Sequence, residues 1–208
     1  KIRAAQGTPQ DSVAFFEENL LERKYLSEAA GRYGLVSALI RAKAYARAGR
    51  ELEILRKALP ASPAVDTLAA RFYIASGDIT SALQTYRDAL RSHPGYRALI
   101  YDYAEALLGN RQPGEALKLV ESRLQNSVSD SQLYALQAKC YAALDKRLPQ
   151  HRAQAEAYYR AGNLRGAIEQ LVLAQKSGDG DFYQQSSVDA RLRELRAQEE
   201  EARRENRK

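Results

Sequence analysis

The chain has 208 residues, of which 45% are hydrophobic and 28% charged, and its formal net charge is +6. This is an ordinary globular composition with room for one sizeable domain or two small ones, and a single cysteine excludes an internal disulfide. Because acidic residues are interspersed with the basic ones, a solvated surface explains the positive charge better than binding to nucleic acid or to an anionic membrane surface. No apolar run reaches the ~18–20 residues of a membrane span.

The N-terminal segment, residues 1–10, is polar and is predicted to be a lead-in. The chain begins at Lys1 rather than Met and shows no signal peptide, so we expect an excised piece or a processed product. The first helix is predicted to begin at Asp11 or Ser12, which are good N-cap residues, and to run to about Ala30.

One stretch, residues 63–96, combines small and large residues at fixed positions. Small residues stand where two helices must touch, aromatic residues fill the gaps, and a glycine separates two apolar runs. These residues are Ala70 and Ala82, Tyr73 and Tyr86, and Gly77. The pattern resembles the tetratricopeptide repeat, a helix–turn–helix unit of about 34 residues.

Steps of one repeat length in both directions find further copies of this pattern. The four predicted repeats cover residues 29–62, 63–96, 97–130 and 131–164. In the first of them Lys43 takes the place of the turn glycine. A further match, 148–181, begins half a repeat early, so the helix from about Pro149 to Arg160 is predicted to close one unit and open the next.

A last helix is predicted over residues 181–196, with an apolar stripe on one side that suits a cap. The stripe consists of Phe182, Val188, Leu192 and Leu195. The charged segment 197–208 is predicted to be a frayed helix end or a disordered tail. We therefore predict an all-α fold, a right-handed tetratricopeptide superhelix (an α-α solenoid) in a single domain over 11–196, with an N-terminal helix and a C-terminal capping helix.

Stacked repeats curve around a concave face. In tetratricopeptide repeats, four positions of the first helix usually line that face, and aromatic and arginine side chains are typical binding anchors. The candidate protein-binding residues at these positions are Tyr33, Arg71, Ile74, Tyr101, Glu105, Leu108, Lys139, Arg152 and Tyr159. The same positions also hold Ser37, Ile40, Thr67, Ala142 and Glu156. The alternative for each residue is a contact with water or the next helix alone.

The sequence offers no recognisable catalytic chemistry. His93, His151 and Cys140 belong to no HExxH or C-x-x-C motif, and no phosphate loop or G-x-S-x-G is present. We therefore predict no enzyme in this segment, no cofactor and no metal. Five tyrosines at packing positions are expected in the core rather than on a nucleic-acid surface: Tyr45, Tyr73, Tyr86, Tyr141 and Tyr158.

The C-terminal part has a more particular sequence. Residues 151–196, HRAQAEAYYRAGNLRGAIEQLVLAQKSGDGDFYQQSSVDARLRELR, resemble the end of periplasmic zinc metallopeptidases of the β-barrel assembly-enhancing protease type. In that family a peptidase domain with HExxH is followed by a tetratricopeptide domain. The resemblance extends over about 32–196, and the peptidase domain is absent from this sequence.

The resemblance implies a periplasmic, non-catalytic module that binds a protein or peptide. Its partners would be outer-membrane assembly substrates or machinery, with the missing peptidase domain as a further candidate. No catalytic or metal residue can be carried over from the family. The repeats alone support an alternative equally well, a freestanding tetratricopeptide scaffold of another cell-envelope or secretion assembly.

Overall fold

The structure, a computed structural model, describes residues 7–60 and 62–205. Parts of the predicted lead-in and tail, residues 1–6 and 206–208, therefore lie outside the described residues. Over the described ranges the regular elements are α-helices. They are α1 (Pro9–Leu21), α2 (Glu28–Arg41), α3 (Tyr45–Ala58), α4 (Pro63–Ser76), α5 (Ile79–Ser92), α6 (Arg97–Gly109), α7 (Pro113–Leu124), α8 (Ser131–Ala143), α9 (Arg147–Arg160), α10 (Leu164–Gln175) and α11 (Phe182–Glu205).

Helix α1 begins earlier than predicted, at Pro9, because Thr8 and Asp11 form a capping box. The Asp11 N–H donates to Thr8 Oγ1 over 3.1 Å, and the Thr8 N–H donates to Asp11 Oδ2 over 3.3 Å. Asp11 therefore lies inside the helix and is not its N-cap. The prediction of Asp11 or Ser12 as the cap was wrong.

The first helix also ends earlier than predicted, at Leu21 rather than near Ala30. Arg23 has a φ of 54°, a left-handed conformation that ends the helix. A new helix, α2, then begins after Ser27, whose hydroxyl accepts a hydrogen bond from the Ala30 N–H over 3.4 Å. Residues predicted as one helix therefore form parts of two.

The turns between paired helices repeat with the predicted period. Lys43, Gly77, Arg111 and Asp145 have φ between 55° and 88°, and each lies one repeat length after the one before it. In the turn at Gly77, the Asp78 N–H donates to the Tyr73 carbonyl over 2.8 Å, the long bond of a Schellman motif. The same bond recurs after the other three residues. The backbone therefore repeats even where glycine is replaced.

The contacts divide the chain into two compact units, Lys1–Tyr103 and Ala104–Lys208. In the first unit, α2 packs against α1, α3 and α4, and α4 packs against α5. The small residues Ala70 and Ala82 are fully buried, as the repeat pattern predicts. Of the five tyrosines expected in the core, Tyr86 is 1% exposed, whereas the other four are only half-buried.

In the second unit, each helix from α7 to α11 packs against the next one along the chain, and α9 also contacts α11. Helix α9 packs against both α8 and α10, as α8 and α10 also pack against both of their chain neighbours. Its left-handed flanking residues, Asp145 and Gly162, are separated by half a repeat length.

The loop before α11 caps the N-terminus of α9. Both oxygens of the Asp179 carboxylate accept backbone hydrogen bonds, from Arg147 over 2.6 Å and from Leu148 over 2.8 Å. These contacts satisfy N–H groups that have no partner within the helix. Burial opposes the ionised form of Asp179, but the hydrogen bonds that its carboxylate accepts outweigh this and lower its pKa.

Helix α11 continues to Glu205, beyond the predicted end of the cap at residue 196. Its inner face buries Val188, Leu192 and Leu195 as predicted, but Phe182 is 79% exposed and does not belong to that stripe. Ion pairs one turn apart, such as Arg203–Glu199 at 2.9 Å, support the helix beyond its apolar face. The tail is therefore helical as far as it is described.

Candidate protein-binding surface

Four candidate residues belong to the first unit and lie on α2, α4 and α6: Tyr33, Arg71, Ile74 and Tyr101. Ile74 is 37% exposed. Tyr33 is half-buried and packs against a buried cluster between α2, α3 and α4. The Tyr101 hydroxyl accepts a hydrogen bond from Arg97 Nε over 2.9 Å. Two of the four, Arg71 and Ile74, are therefore the more accessible to a partner.

Arg71 joins an ion pair within the first unit. Its Nη2 donates to Asp102 Oδ2 over 2.7 Å, and the two side chains are 48% and 23% exposed. Burial raises the pKa of the nearby Tyr33 and Tyr86 hydroxyls, while the positive charge of Arg71 opposes the rise. Tyr86 also stacks on Tyr103, with ring centroids 5.7 Å apart. The half-exposed Arg71 thus lies beside Tyr33 and Tyr86 and is itself accessible from solvent.

Five candidate residues belong to the second unit: Glu105, Leu108, Lys139, Arg152 and Tyr159. Glu105 and Lys139 stand at the same position of consecutive predicted repeats and pair with each other, with 2.5 Å between Lys139 Nζ and Glu105 Oε1. Leu108 is half-buried. Two predicted contact residues therefore already interact with one another.

Arg152 lines a cleft of about 460 Å³ in the second unit, which falls within the usual size range of ligand pockets. Its apolar lining consists of Leu124, Pro149 and Ala153. Its polar lining consists of Tyr134, Gln137, Tyr141, Arg152, Glu156, Arg160 and Arg191. Because α7, α8, α9 and α11 all contribute, the cleft depends on the packing of α9 against its neighbours.

One side of the cleft is fixed by Glu156 and Arg191. Arg191 Nε and Nη2 donate to the two Glu156 oxygens over 2.7 and 3.1 Å, a bidentate pair. The Arg191 guanidinium also lies 4.5 Å from the centre of the Tyr159 ring. Its interactions with Glu156 and Glu194 raise the pKa of Arg191 despite its burial. Tyr159 therefore supports Arg191.

Two buried or half-buried groups of α8 lie close to acidic residues. The Tyr141 hydroxyl donates to Glu121 Oε1 over 2.9 Å, and burial together with this contact raises the pKa of Tyr141 to about 12. Burial, with the negative charges of Glu105 and Glu121, raises the pKa of the Cys140 thiol to about 11. Cys140 is therefore a packed, protonated thiol at neutral pH.

Sequence reasoning found Arg152 and Glu156 but missed Arg191, Tyr134 and Tyr141 as lining residues. Arg191 lies on the predicted cap, where only the apolar stripe was considered. Tyr141 was assigned to the core, although its hydroxyl reaches Glu121. The interruption of the repeat around residue 148 was the available signal, because it falls at the beginning of α9, a helix that contributes five of the lining residues.

No group of three or more His, Cys, Asp and Glu side chains in the described part of the chain is placed to hold a metal ion. His151 Nδ1 instead lies 2.9 Å from Gln170 Oε1. Among the same residues, no helix is both long and apolar enough to cross a bilayer.

Comparisons with known proteins agree with this architecture. Residues 73–140 match the family described as Tetratricopeptide repeat. The chain is 30% identical over 175 residues to the Beta-barrel assembly-enhancing protease of Escherichia coli strain K12. That match covers 83% of this chain and 35% of the relative, so the chain spans about a third of the length of this relative. The protein of the same name from Shigella flexneri matches equally well.

Solved structures show the same fold at low sequence identity. The structure titled MamA 41-end from Desulfovibrio magneticus RS-1 has a TM-score of 0.55 and 16% identity, and covers 84% of this chain and 98% of that one. The MamA RS-1 ArsTM double mutant gives the same TM-score, at 15% identity and with the same coverage. The chain therefore has an all-α tetratricopeptide-repeat fold and resembles, over most of its length, a part of the Beta-barrel assembly-enhancing protease.

Proposed function

We propose that the chain is the non-catalytic protein–protein interaction module of a periplasmic metallopeptidase, and that it recruits or positions outer-membrane assembly substrates or partners. The observation that carries this proposal is the 30% identity to the Beta-barrel assembly-enhancing protease across 83% of the chain. The match covers 175 residues and therefore extends well beyond residues 73–140, where the repeat family itself is matched.

The structure supports a binding role through side chains at candidate positions. Arg71 and Ile74 are exposed in the first unit, and Arg152 lines a cleft of about 460 Å³ in the second. Arginine side chains are typical anchors for a protein partner. In this proposal the chain contributes binding, and hydrolysis belongs to a peptidase domain elsewhere in the same protein.

The first test is to determine the reading frame upstream of Lys1. We expect a signal peptide followed by a peptidase domain with HExxH, because the relative is about three times as long as the matched region. A start codon close to Lys1 without a peptidase would contradict the proposal and leave an independent scaffold.

The second test measures binding directly. The purified chain is titrated against purified outer-membrane β-barrel assembly machinery and against an unfolded outer-membrane protein, with an unrelated soluble periplasmic protein as the control. We expect saturable binding to the assembly components, no binding to the control and no cleavage of the unfolded protein. Equal binding to the control would contradict the proposal.

A further inference from the structure

The cleft in the second unit contains three arginines, and they differ in what they contact. Arg191 forms the bidentate pair with Glu156, and Arg160 Nε lies 3.7 Å from Glu156 Oε2. Arg152 is exposed at the cleft and has no hydrogen bond or ion pair with any residue that the structure describes. The guanidinium of Arg152 is therefore available to a ligand.

The charges around the cleft leave this positive charge uncompensated. Glu156 is the acidic residue in the cleft lining, and it is already bound by two arginines. The neighbouring acidic groups are engaged as well, Glu121 with the Tyr141 hydroxyl and Glu194 with Arg191. A ligand with a negative group would therefore find an arginine whose hydrogen-bond donors are free.

The apolar part of the lining restricts the ligand further. Leu124, Pro149 and Ala153 lie in the cleft together with the rings of Tyr134 and Tyr141. Such a surface suits an aliphatic or aromatic side chain next to the negative group. A volume of about 460 Å³ is too small for a folded domain to enter and suits a few side chains of an extended segment.

From this arrangement we propose that the cleft binds an acidic peptide segment, and that Arg152 receives the carboxylate of an Asp or Glu side chain within it. The planar guanidinium can take a carboxylate in a two-point contact, as Arg191 does with Glu156 in the same cleft. An adjacent apolar side chain of the segment packs against Leu124 and Pro149. This inference rests on the proposed binding function and names the chemistry that one of its sites recognises.

The test uses three fluorescent peptides and anisotropy titrations at low salt. The first peptide alternates glutamate with apolar residues and has both termini blocked. The second replaces each glutamate by glutamine. The third carries glutamines and a free C-terminal carboxylate. We expect the first peptide to bind tightest, with an affinity that falls as salt is added, because the attraction is between charges at an exposed site.

Two variants connect the binding to Arg152. Arg152→Gln is expected to weaken the binding of the acidic peptide by about tenfold and to leave the affinity for the glutamine peptide unchanged. The matched control is Arg165→Gln, at a side chain that is 85% exposed and not among the cleft residues. Both substituted side chains are exposed, so circular dichroism and thermal unfolding should match the unchanged chain.

Several outcomes would overturn the inference: equal binding of the acidic and glutamine peptides, preferred binding of the free C-terminus, or equal loss in Arg152→Gln and Arg165→Gln. If the acidic peptide does not bind while the chain still binds assembly components, only the ligand assigned to the cleft is wrong. If the chain binds neither, the proposed function fails with it.

Discussion

Gly34 of α2 lies so close to Phe16 of α1 that a Cβ atom at Gly34 would be 2.2 Å from Cε1 of the ring. Two other ring atoms would be within 2.7 Å, so the ring as a whole would have to move. Gly49 of α3 also lies within a helix, but its nearest neighbour, Phe72 Cζ, would be 3.4 Å from an added Cβ. A close neighbour therefore explains the glycine at position 34 but not the one at position 49.

We expect Gly34→Ala and Gly49→Ala to change stability in opposite directions. Within a helix, alanine stabilises the folded state by about 0.8–1 kcal/mol relative to glycine, whereas overpacking destabilises it by about 1–3 kcal/mol. Gly34→Ala should therefore lower the free energy of unfolding by up to about 2 kcal/mol, and Gly49→Ala should raise it by up to about 1 kcal/mol. Urea unfolding measures both, and a stabilised Gly34→Ala variant would contradict the contact with Phe16.

The left-handed turn residues give a second stability prediction. Lys43 has a φ of 57°, a conformation that strains a residue with a Cβ atom. Lys43→Gly removes this strain but adds freedom to the unfolded chain, so we expect a net gain of about 0.5–1 kcal/mol. Gly77→Ala, at a φ of 88°, should cost about 1–2 kcal/mol. Thermal unfolding of the two variants should shift in opposite directions.

The Asp179 carboxylate gives a pH-dependent prediction. Its pKa is lowered from the usual 3.8 by the hydrogen bonds it accepts, so its contribution to stability is present above that value and is lost as pH falls through the lower, folded-state pKa. Asp179→Asn should destabilise the chain at pH 7, and its difference from the unchanged chain should shrink in acid. A difference that stays constant down to strongly acidic pH would show that charge is not involved.

Arg191 gives a prediction about the junction of α9 and α11. Arg191 and Glu156 are only 21% and 18% exposed, so removing the guanidinium leaves a poorly solvated carboxylate. Arg191→Gln is expected to lower the free energy of unfolding by about 1–3 kcal/mol. Arg203→Gln, which removes a surface pair on the same helix, should cost less than about 0.5 kcal/mol.

Chemical denaturation compares the two arginine variants under the same conditions. Similar losses for Arg191→Gln and Arg203→Gln would mean that the Glu156 pair adds no more than a surface ion pair.

The repeat pattern could be predicted from sequence because it depends on local packing needs. Ala70 and Ala82 had to be small where helices touch, and both are fully buried. The turn at Lys43 was found by position although glycine is missing there, since the repeat period fixes where the backbone must reverse. The repeat period thus predicted the position of this turn, which the residue type alone did not.

The entry to α1 was mispredicted although its signal was present. Thr8 and Asp11 have the spacing of a capping box, and Pro9 favours the first helical position. The ion pair between Glu105 and Lys139 was not predicted, because side-chain partners on different helices depend on rotamers and helix orientation. For the same reason the pair of Arg191 with Glu156 was not predicted, because it forms only where α9 and α11 pack together.

The shared helix α9 shifts the phase of the repeat by half a repeat length, measured between the turns at Asp145 and Gly162. In an unbroken array, helices of the face-lining type alternate with helices of the other type. By their positions in the predicted repeats, α8 and α9 are both expected to carry face-lining residues, and the two helices pack against each other. Ala153 faces the cleft, while Ala155 belongs to the core formed with α10 and α11. The half-step in the repeat thus coincides with a cleft that residues of both helices line, without any new sequence motif.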